Sequence, residues 1–510
     1  MSSKAVKWGA LGASLALFSG LMAGCGGSEP KAGATTAPTA NGGLDTSEKV
    51  ELQLYMLGEA PKDLPVIEGK INEMALKDLN ATVKFNYIPW TDNTTKYKLL
   101  LTSGQNIDLI YTANWFGYQQ YAKKGAFQPL DELVPKYAPK LNSFVPKDMW
   151  ETARIDGKIY TVPSTYKEYT TGGFIYREDL RQKYNLPKPD SIETFGAYLD
   201  GIKKNEKDLF PLASGFNMNN YKELKVNPAG SFPYGVTAPY TKPQEMTSFW
   251  GSPEHLAGLK VAKEWADKGF WSKNVLNEKE LANNLVINGK SAALMSHNPS
   301  MFNDMNTKTQ AGHPDWKLAY SPFPFIKGYA TPVNPIGNGF AIPKSSKHAD
   351  RAIAFYEKLV TDKRYNQLTE YGIEGTNYKV ENGYYQMIGD AKTNGFPREA
   401  MNGWSWRNPE YMLFDKGYDG VKEIFSQLDK ISKPDIYSGF AEDYTSYQAE
   451  KAALEQVEKQ YLKPLEMGLV DDVEGGLKIF MEKAKAAGLE KIQAEYKKQW
   501  LQYLDEKKIK

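Results

Sequence analysis

Val50-Glu51-Leu52-Gln53-Leu54 places an apolar residue at every second position, the period of a strand with one buried face. Residues 66–79 follow with Ile67, Ile71, Met74, Ala75 and Leu79 at helical spacing, and Val83, Phe85 and Tyr87 then alternate again. Residues 95–102 predict a second helix, and residues 107–111 a short buried strand. Strand, helix, strand, helix, strand predicts a mostly parallel α/β sheet. Ligands of such sheets sit beyond the carboxyl ends of the strands. That singles out three loops: Tyr55-Met56-Leu57-Gly58, Pro89-Trp90-Thr91 and Thr112-Ala113-Asn114-Trp115.

Working outward, residues 154–161 predict a hairpin turning at Asp156-Gly157. Phe174 to Tyr176 reads as a strand, and the chain turns helical from Arg177. A second α/β set follows. Ser191 starts a helix with Phe195 and Leu199 on one face, residues 256–266 form another, and residues 291–295 a strand. Residues 339–342 predict a strand and residues 349–360 a helix that aligns Ile353, Tyr356 and Val360. The tail is different. Residues 448–461 and 475–508 are strongly helical, with Ile492, Tyr496 and Trp500 at i, i+4 and i+8, and are expected to pack on one lobe. No repeat with a period of 20–50 residues is present.

Upstream of Val50, residues 1–25 carry Lys4 and Lys7, a short apolar run and Leu21-Met22-Ala23-Gly24-Cys25. This is the layout of an export signal. The run is too short to span a bilayer, which takes about 20 apolar residues. Cys25, the 1 Cys of 510 residues, follows Ala-Gly and resembles the cysteine of a bacterial lipobox. Met22 stands where that motif usually has Leu. The resemblance implies cleavage before Cys25, its lipidation, with palmitate among the acyl chains, and a location on the outer face of the cell membrane. Several acyl chains hold a protein at a bilayer where one would not. Residues 26–49 are Gly, Ala, Thr, Pro and Ser with almost no large apolar residue, and are expected to be a flexible linker. Such a linker has an r.m.s. span of roughly 25–30 Å.

Net charge is +2, and loss of Lys4 and Lys7 brings the processed chain close to neutral. No basic stripe suits nucleic acid, so no nucleic-acid partner is expected. No disulfide is available, and stability must come from buried apolar surface. Aromatic residues reach 13%, with 32 Tyr and 11 Trp; rings in that number form core or a binding surface, and their flat faces suit the apolar faces of sugar rings.

Catalytic motifs are scarce. The 4 His (His255, His297, His313, His348) show no metal-ligand spacing. Asn288-Gly289-Lys290-Ser291 resembles the end of a phosphate-binding loop, but Asn284 replaces its first Gly. There is no nucleophile elbow. The expectation is a protein that is not an enzyme, with no catalytic residue, metal or cofactor.

Residues 102–110 (TSGQNIDLI), an aromatic loop and residues 125–130 (GAFQPL) together resemble the first-lobe signature of family 1 of the bacterial extracellular solute-binding proteins, the sugar-type receptors of ABC importers. Residues 156–163 (DGKIYTVP) with Tyr176-Arg177 are similar to the hinge-proximal stretch of that family, and residues 288–293 (NGKSAA) to its second-lobe strand. Residues 371–378 (YGIEGTNY) and the end of the chain resemble the LipO-like lipoprotein subgroup, which carries a C-terminal domain of unknown function.

The resemblance implies a type II periplasmic-binding-protein-like fold: two α/β lobes, a hinge and a ligand cleft, plus a helical C-terminal extension. The expected divisions are 1–25 signal, 26–49 linker, 50–165 main part of lobe 1, 166–335 main part of lobe 2, 336–435 segments returning between lobes, and 436–510 extension. It further implies a monomeric receptor that delivers an oligosaccharide to a membrane permease. The same fold holding a peptide or another solute, a surface-tethered carbohydrate-active enzyme, and a receptor presenting ligand to a signalling partner stay open.

Asn114 and Trp115 fall where the family has its first-lobe ligand loop. Tyr166, Lys167 and Glu168 fall where it contributes contacts near the hinge. His297 and Asn298 follow the second-lobe strand. In the polar-aromatic run 404–409, one of Trp404 and Trp406 is expected to be core and the other a ring platform, with Arg407 donating hydrogen bonds. Trp90 and Trp250 are secondary candidates. Asp108 is expected to organise its turn. Gly372 and Gly375 permit a tight turn that could aim Glu374 at the cleft.

Overall fold

In chain order, the strands of the two main sheets are β1 (Val50–Leu57), β2 (Ala81–Ile88), β3 (Leu109–Thr112), β4 (Val162–Pro163), β5 (Gly173–Arg177), β6 (Phe210–Leu212), β7 (Ser291–Met295), β8 (Leu318–Pro322) and β9 (Gly339–Ala341). The helices that matter below are α1 (Leu64–Leu79), α2 (Asn93–Thr102), α3 (Tyr118–Lys123), α4 (Ile192–Asn205), α5 (Met218–Val226), α6 (Pro253–Asp267), α7 (Pro299–Gly312), α8 (Ala349–Thr361), α9 (Lys363–Tyr371), α10 (Tyr418–Lys430), α11 (Gln448–Val457), α12 (Val473–Ala486) and α13 (Leu489–Glu506). The structure is a computed structural model and describes residues 43–390 and 392–510. The export signal, Cys25 and residues 26–42 of the expected linker lie outside the described residues.

The first sheet has the order β2-β1-β3-β9-β4. β1 runs parallel to β2 and β3, as the alternating strand–helix pattern predicts. β9 is antiparallel to both β3 and β4, so one strand of the five runs against the rest and departs from that prediction. The reason is long-range: β9 returns from beyond the second lobe and enters against the direction of β3. Leu52, Leu54, Val83 and Ile110 pack in one core with Ile67, Ile71 and Ala75 of α1 and with Ile353, Tyr356 and Val360 of α8. Asp108 lies just before β3, where its carboxylate accepts from the Gln53 N–H and the Ser346 hydroxyl, the organising role expected of it.

The second sheet, β8-β5-β7-β6, is antiparallel except for the β7–β6 pair. Phe174 and Tyr176 of β5 pack on Phe195 and Leu199 of α4. Ser191 begins α4 with a reciprocal cap: its hydroxyl accepts from the Thr194 N–H (3.1 Å) and the Thr194 hydroxyl from the Ser191 N–H (2.9 Å). Leu454 of α11, Phe480 of α12 and Ile492, Tyr496 and Trp500 of α13 belong to this same core. α12 and α13 are separate helices, divided at Gly488, whose φ of 96° a side chain would resist.

Three segments cross between the cores and pair with one another. Tyr169–Thr170 runs antiparallel to Thr331–Pro332. Next to them, the Ala330 N–H donates to Ile431 O (3.0 Å) and the Lys433 N–H to Ala330 O (2.8 Å). This ribbon is the hinge.

Residues 44–48, read above as linker, are docked. Leu44 packs on the first core. The buried Arg351 guanidinium of α8 donates to the carbonyls of Asp45, Glu48, Leu79 and Asn80. A buried guanidinium needs acceptors for its fixed fork of N–H groups, and these carbonyls supply them.

Candidate functional site

A cleft of about 970 Å³ is lined by both lobes, the hinge and the C-terminal segment. This is at the upper end of the range of about 300–1,000 Å³ usual for small-molecule sites.

The first-lobe wall begins where β3 ends. Asn114 and Trp115 form a single turn there, and the Asn114 side chain accepts from the Trp115 N–H (2.8 Å). The Trp115 indole N–H donates to Gly337 O (2.8 Å), which fixes the ring while leaving it 56% exposed. Trp404 and Trp115 both pack on Tyr111, whose ring lies 6.2 Å from Trp115 and 6.3 Å from Trp404. The Trp404 indole N–H donates to Glu399 (3.3 Å), and its ring lines the cleft.

The hinge strand supplies Tyr166 and Glu168, which face the cleft, while Lys167 does not. Successive side chains of an extended chain point to opposite sides. Lys167 is corrected on that ground: its ammonium pairs with Asp429 (2.6 Å) on the outer side of the hinge. The Tyr166 hydroxyl meets Ser300 (3.0 Å) of α7 and Tyr418 (2.9 Å) of α10. The Arg407 guanidinium lies over its ring at 5.3 Å. Glu168 is buried; one carboxylate oxygen accepts from the Tyr169 N–H (3.0 Å), and the other has no protein partner. Burial pushes the Glu168 carboxyl up to about 7, against the opposing pull of the Tyr169 N–H and Arg407.

Trp406 is the second correction. It is 0% exposed, packs on Phe340 (5.4 Å) and donates to the Thr369 hydroxyl (3.0 Å). It has no face left for a ligand, and Trp404 is the member of the pair that lines the cleft. Arg407 reaches the cleft but is itself buried, and pairs with Glu399 at 2.5 Å. Burial works against its charge, but Glu399 and Glu370 more than compensate and hold it protonated.

On the second lobe, His297 and Asn298 line the cleft at the carboxyl end of β7. His297 has φ 72°, strained for a residue with a side chain. Its Nε2 meets Asn283 Oδ1 (2.6 Å), and burial lowers its pKa to about 4, leaving the ring neutral at pH 7. Asn298 caps α7 by accepting from the Met301 N–H (2.8 Å). Trp90 and Trp250 are not among the lining residues: Trp90 lies 6.1 Å from Trp404, and Trp250 packs on Phe480 (5.1 Å). Glu374 is exposed away from the cleft, although Gly372 and Gly375 do take positive φ.

Several lining residues carried no sequence signal. Asn219, Asn220, Lys222 and Glu223 come from α5, and Lys327 pairs with Glu223 at 2.7 Å. Burial lowers the Lys222 pKa to about 8. Asp435, Tyr437, Ser438, Phe440, Glu442 and Tyr496 come from the C-terminal segment. Helical spacing marks Tyr496 only as core, and the loop 435–442 has no period at all.

Bacterial extracellular solute-binding proteins, as a family, match residues 66–364. The chain belongs to that family. A domain of unknown function (DUF3502) matches residues 436–505, which completes the LipO-like arrangement. A carbohydrate ABC transporter substrate-binding protein of Streptococcus pneumoniae is 23% identical over 484 residues, covering 91% of this chain and 93% of its own length. Lipoprotein LipO of Bacillus subtilis is 22% identical over 453 residues, covering 84% of this chain and 85% of LipO. The fold is similar to that of the N-glycan transport solute-binding protein NgtS of Streptococcus pneumoniae, solved with Man1GlcNAc. The TM-score is 0.70 at 19% identity, covering 90% of this chain and 100% of that one. The solute-binding family's two-lobed fold accounts for the paired sheets, the hinge ribbon and the cleft between them.

Proposed function

We propose that this solute-binding protein is the receptor of an ABC importer and holds an oligosaccharide between its lobes. The observation that carries the reading is the make-up of the cleft. Trp115 and Trp404, both packed on Tyr111, line the cleft among side-chain amides such as Asn114, Gln119, Asn220, Asn334 and Asn338. Sugars present both an apolar C–H face and a dense set of hydroxyls, and this mixture answers both. The volume exceeds what a single hexose fills. The curated relative named for carbohydrate transport and the neighbour solved with Man1GlcNAc support the same class.

Lobes joined by a ribbon close on a ligand only to the extent that it prefers the closed form. Contacts to both walls supply that preference without a reactive group, so the proposed activity is binding and delivery rather than turnover. We place the protein as a monomer on the outer face of the membrane, lipidated at Cys25 and docking on a permease. Cys25→Ser should move it from the membrane fraction to the soluble fraction.

The deciding experiment is a thermal-shift and calorimetric screen of the soluble body against manno- and chito-oligosaccharides and short peptides. A ligand at 100 times its dissociation constant adds about 2.7 kcal/mol if it binds only the folded state. A rise in midpoint with one sugar class, and no product after long incubation, is the expected result. A rise with peptides alone overturns the carbohydrate assignment, and sugar breakdown overturns the receptor assignment.

A further inference from the structure

The C-terminal segment leaves the hinge ribbon at Lys433 and immediately enters the cleft wall. Asp435 turns it by accepting from the Tyr437 and Ser438 N–H groups (2.8 and 3.0 Å). Tyr437 and Phe440 both line the cleft, and both are only half-buried despite their size. Behind them stands a layer of rings from α13. Phe440 meets Tyr496, Trp500 and Tyr503 at 5.3, 5.4 and 5.5 Å, and Tyr437 meets Trp500 at 6.0 Å. Phe232 packs on Tyr437 (4.8 Å) and on Trp500 (5.1 Å). α13 is itself pinned by the Trp500 indole N–H on Pro243 O (2.7 Å).

The first lobe reaches across to the same loop. Gln119 of α3, which also lines the cleft, donates to Ser438 O (3.1 Å), and Lys124 donates to the Tyr444 hydroxyl (3.1 Å). If the segment were only a brace for the second lobe, its rings would be covered as Trp500 is. Instead the covered rings hold the half-covered ones at the cleft surface. A ring platform preorganised in this way contributes affinity at low ordering cost.

We propose that the C-terminal segment reads the ligand: Tyr437 and Phe440 form a second platform in the cleft that Trp115 and Trp404 line, engaging the distal units of an oligosaccharide and so setting the chain length accepted. This rests on the carbohydrate reading of the cleft and assigns a role to the segment matched by the domain of unknown function.

The test is calorimetry of the full soluble body with two ladders, from Man1GlcNAc to Man5GlcNAc and from chitobiose to chitohexaose. Wild type is compared with Tyr437→Ala, Phe440→Ala and Trp404→Ala. The expected result is a loss of roughly tenfold or more for the longest binding member in the Tyr437 and Phe440 variants, with the shortest unchanged. Trp404→Ala should weaken every member. If Phe440→Ala does not fold, Phe440→Leu and ligand-dependent amide-exchange protection of residues 435–444 in the wild type replace it. Equal affinity across a ladder in both variants, or no protection of 435–444, overturns the inference and leaves the carbohydrate reading intact. Failure of the wild type to bind any member overturns both.

Discussion

The Trp115 indole N–H donates to Gly337 O across 222 residues of sequence, at 2.8 Å. A ring that is 56% exposed is thereby held at one angle. Trp115→Phe keeps a flat face but leaves the Gly337 carbonyl to water. Its expected stability loss is about 0.5–1.5 kcal/mol, and its sugar affinity should fall because the ring is no longer aimed. Trp115→Ala should lose more affinity, and at least as much stability, because it gives up the same hydrogen bond together with the ring contacts to Tyr111 and Phe116. Calorimetry and urea melts of the three proteins check both statements.

Trp404 and Trp406 separate cleanly by experiment. Trp406→Ala empties a fully buried site and removes the indole's hydrogen bond to the Thr369 hydroxyl, so unfolding free energy should drop by about 3–5 kcal/mol. Its affinity per folded molecule should stay near wild type. Trp404→Ala should do the reverse, with weaker binding and a small change in stability. Equal affinity losses in the two would contradict the placement of Trp406 in the core.

Glu168 carries a pH signature. Its carboxyl is raised by burial from 4.5 to about 7 in the folded protein. Below about pH 4.5 it is protonated in both states and costs nothing. Between 4.5 and 7 the unfolded chain releases the proton and the folded one keeps it, so stability falls as pH rises. Above 7 the full loss is present, about 3–4 kcal/mol from the size of the shift. Glu168→Gln should remove this slope, and denaturant melts at pH 5 and pH 8 measure it. His297 works in the opposite sense. Its lowered pKa, about 4, makes stability fall as pH drops from 6.5 towards 4; Glu458 and His255 titrate over the same range, so the Glu168 share is read as the difference between wild type and Glu168→Gln at each pH.

Gly339 sits in β9 between β3 and β4, where an added Cβ would come within 2.8 Å of Val162 O and 3.1 Å of the Thr112 hydroxyl. Gly339→Ala should force these strands apart, at a cost of about 1–3 kcal/mol. Because Gly337 lies two residues upstream, the variant should also weaken the hold on Trp115. A combined drop in urea midpoint and in sugar affinity is the expected readout.

Short-range patterns carried most elements of the fold. The alternation at Val50, Leu52 and Leu54 and the 3.6-residue stripe of Ile67, Ile71 and Ala75 are local, and they fold as read. The direction of β9 is not local, since it depends on where a strand returns after some 180 residues of another lobe. Within the candidate site, Asn114 and Trp115 were legible because a strand end is a place in the sequence as well as in space. Lys167 was misplaced for want of the phase of alternation about Tyr166 and Glu168, whereas Trp404 and Trp406 lie in a short 3-10 turn, where residues two apart point in different directions. Tyr437 and Phe440 had no chance of being found. Their position at the cleft follows from the third strand of the hinge ribbon and from rings on α13, and neither fact has a period or a motif.

Arg351 fixes where load enters the body. Its guanidinium grips the carbonyls of Asp45 and Glu48 together with those that end α1, at the amino-terminal edge of β1. The cleft lies beyond the opposite end of that strand, about 25 Å away for eight residues of extended chain. A pull on the chain ahead of residue 43 therefore runs into α8 and the first core and bypasses the hinge ribbon. In a receptor held at this end, as proposed, the ribbon joining the lobes would stand outside the path of that pull, and tension on the tether would leave the opening and closing balance unchanged.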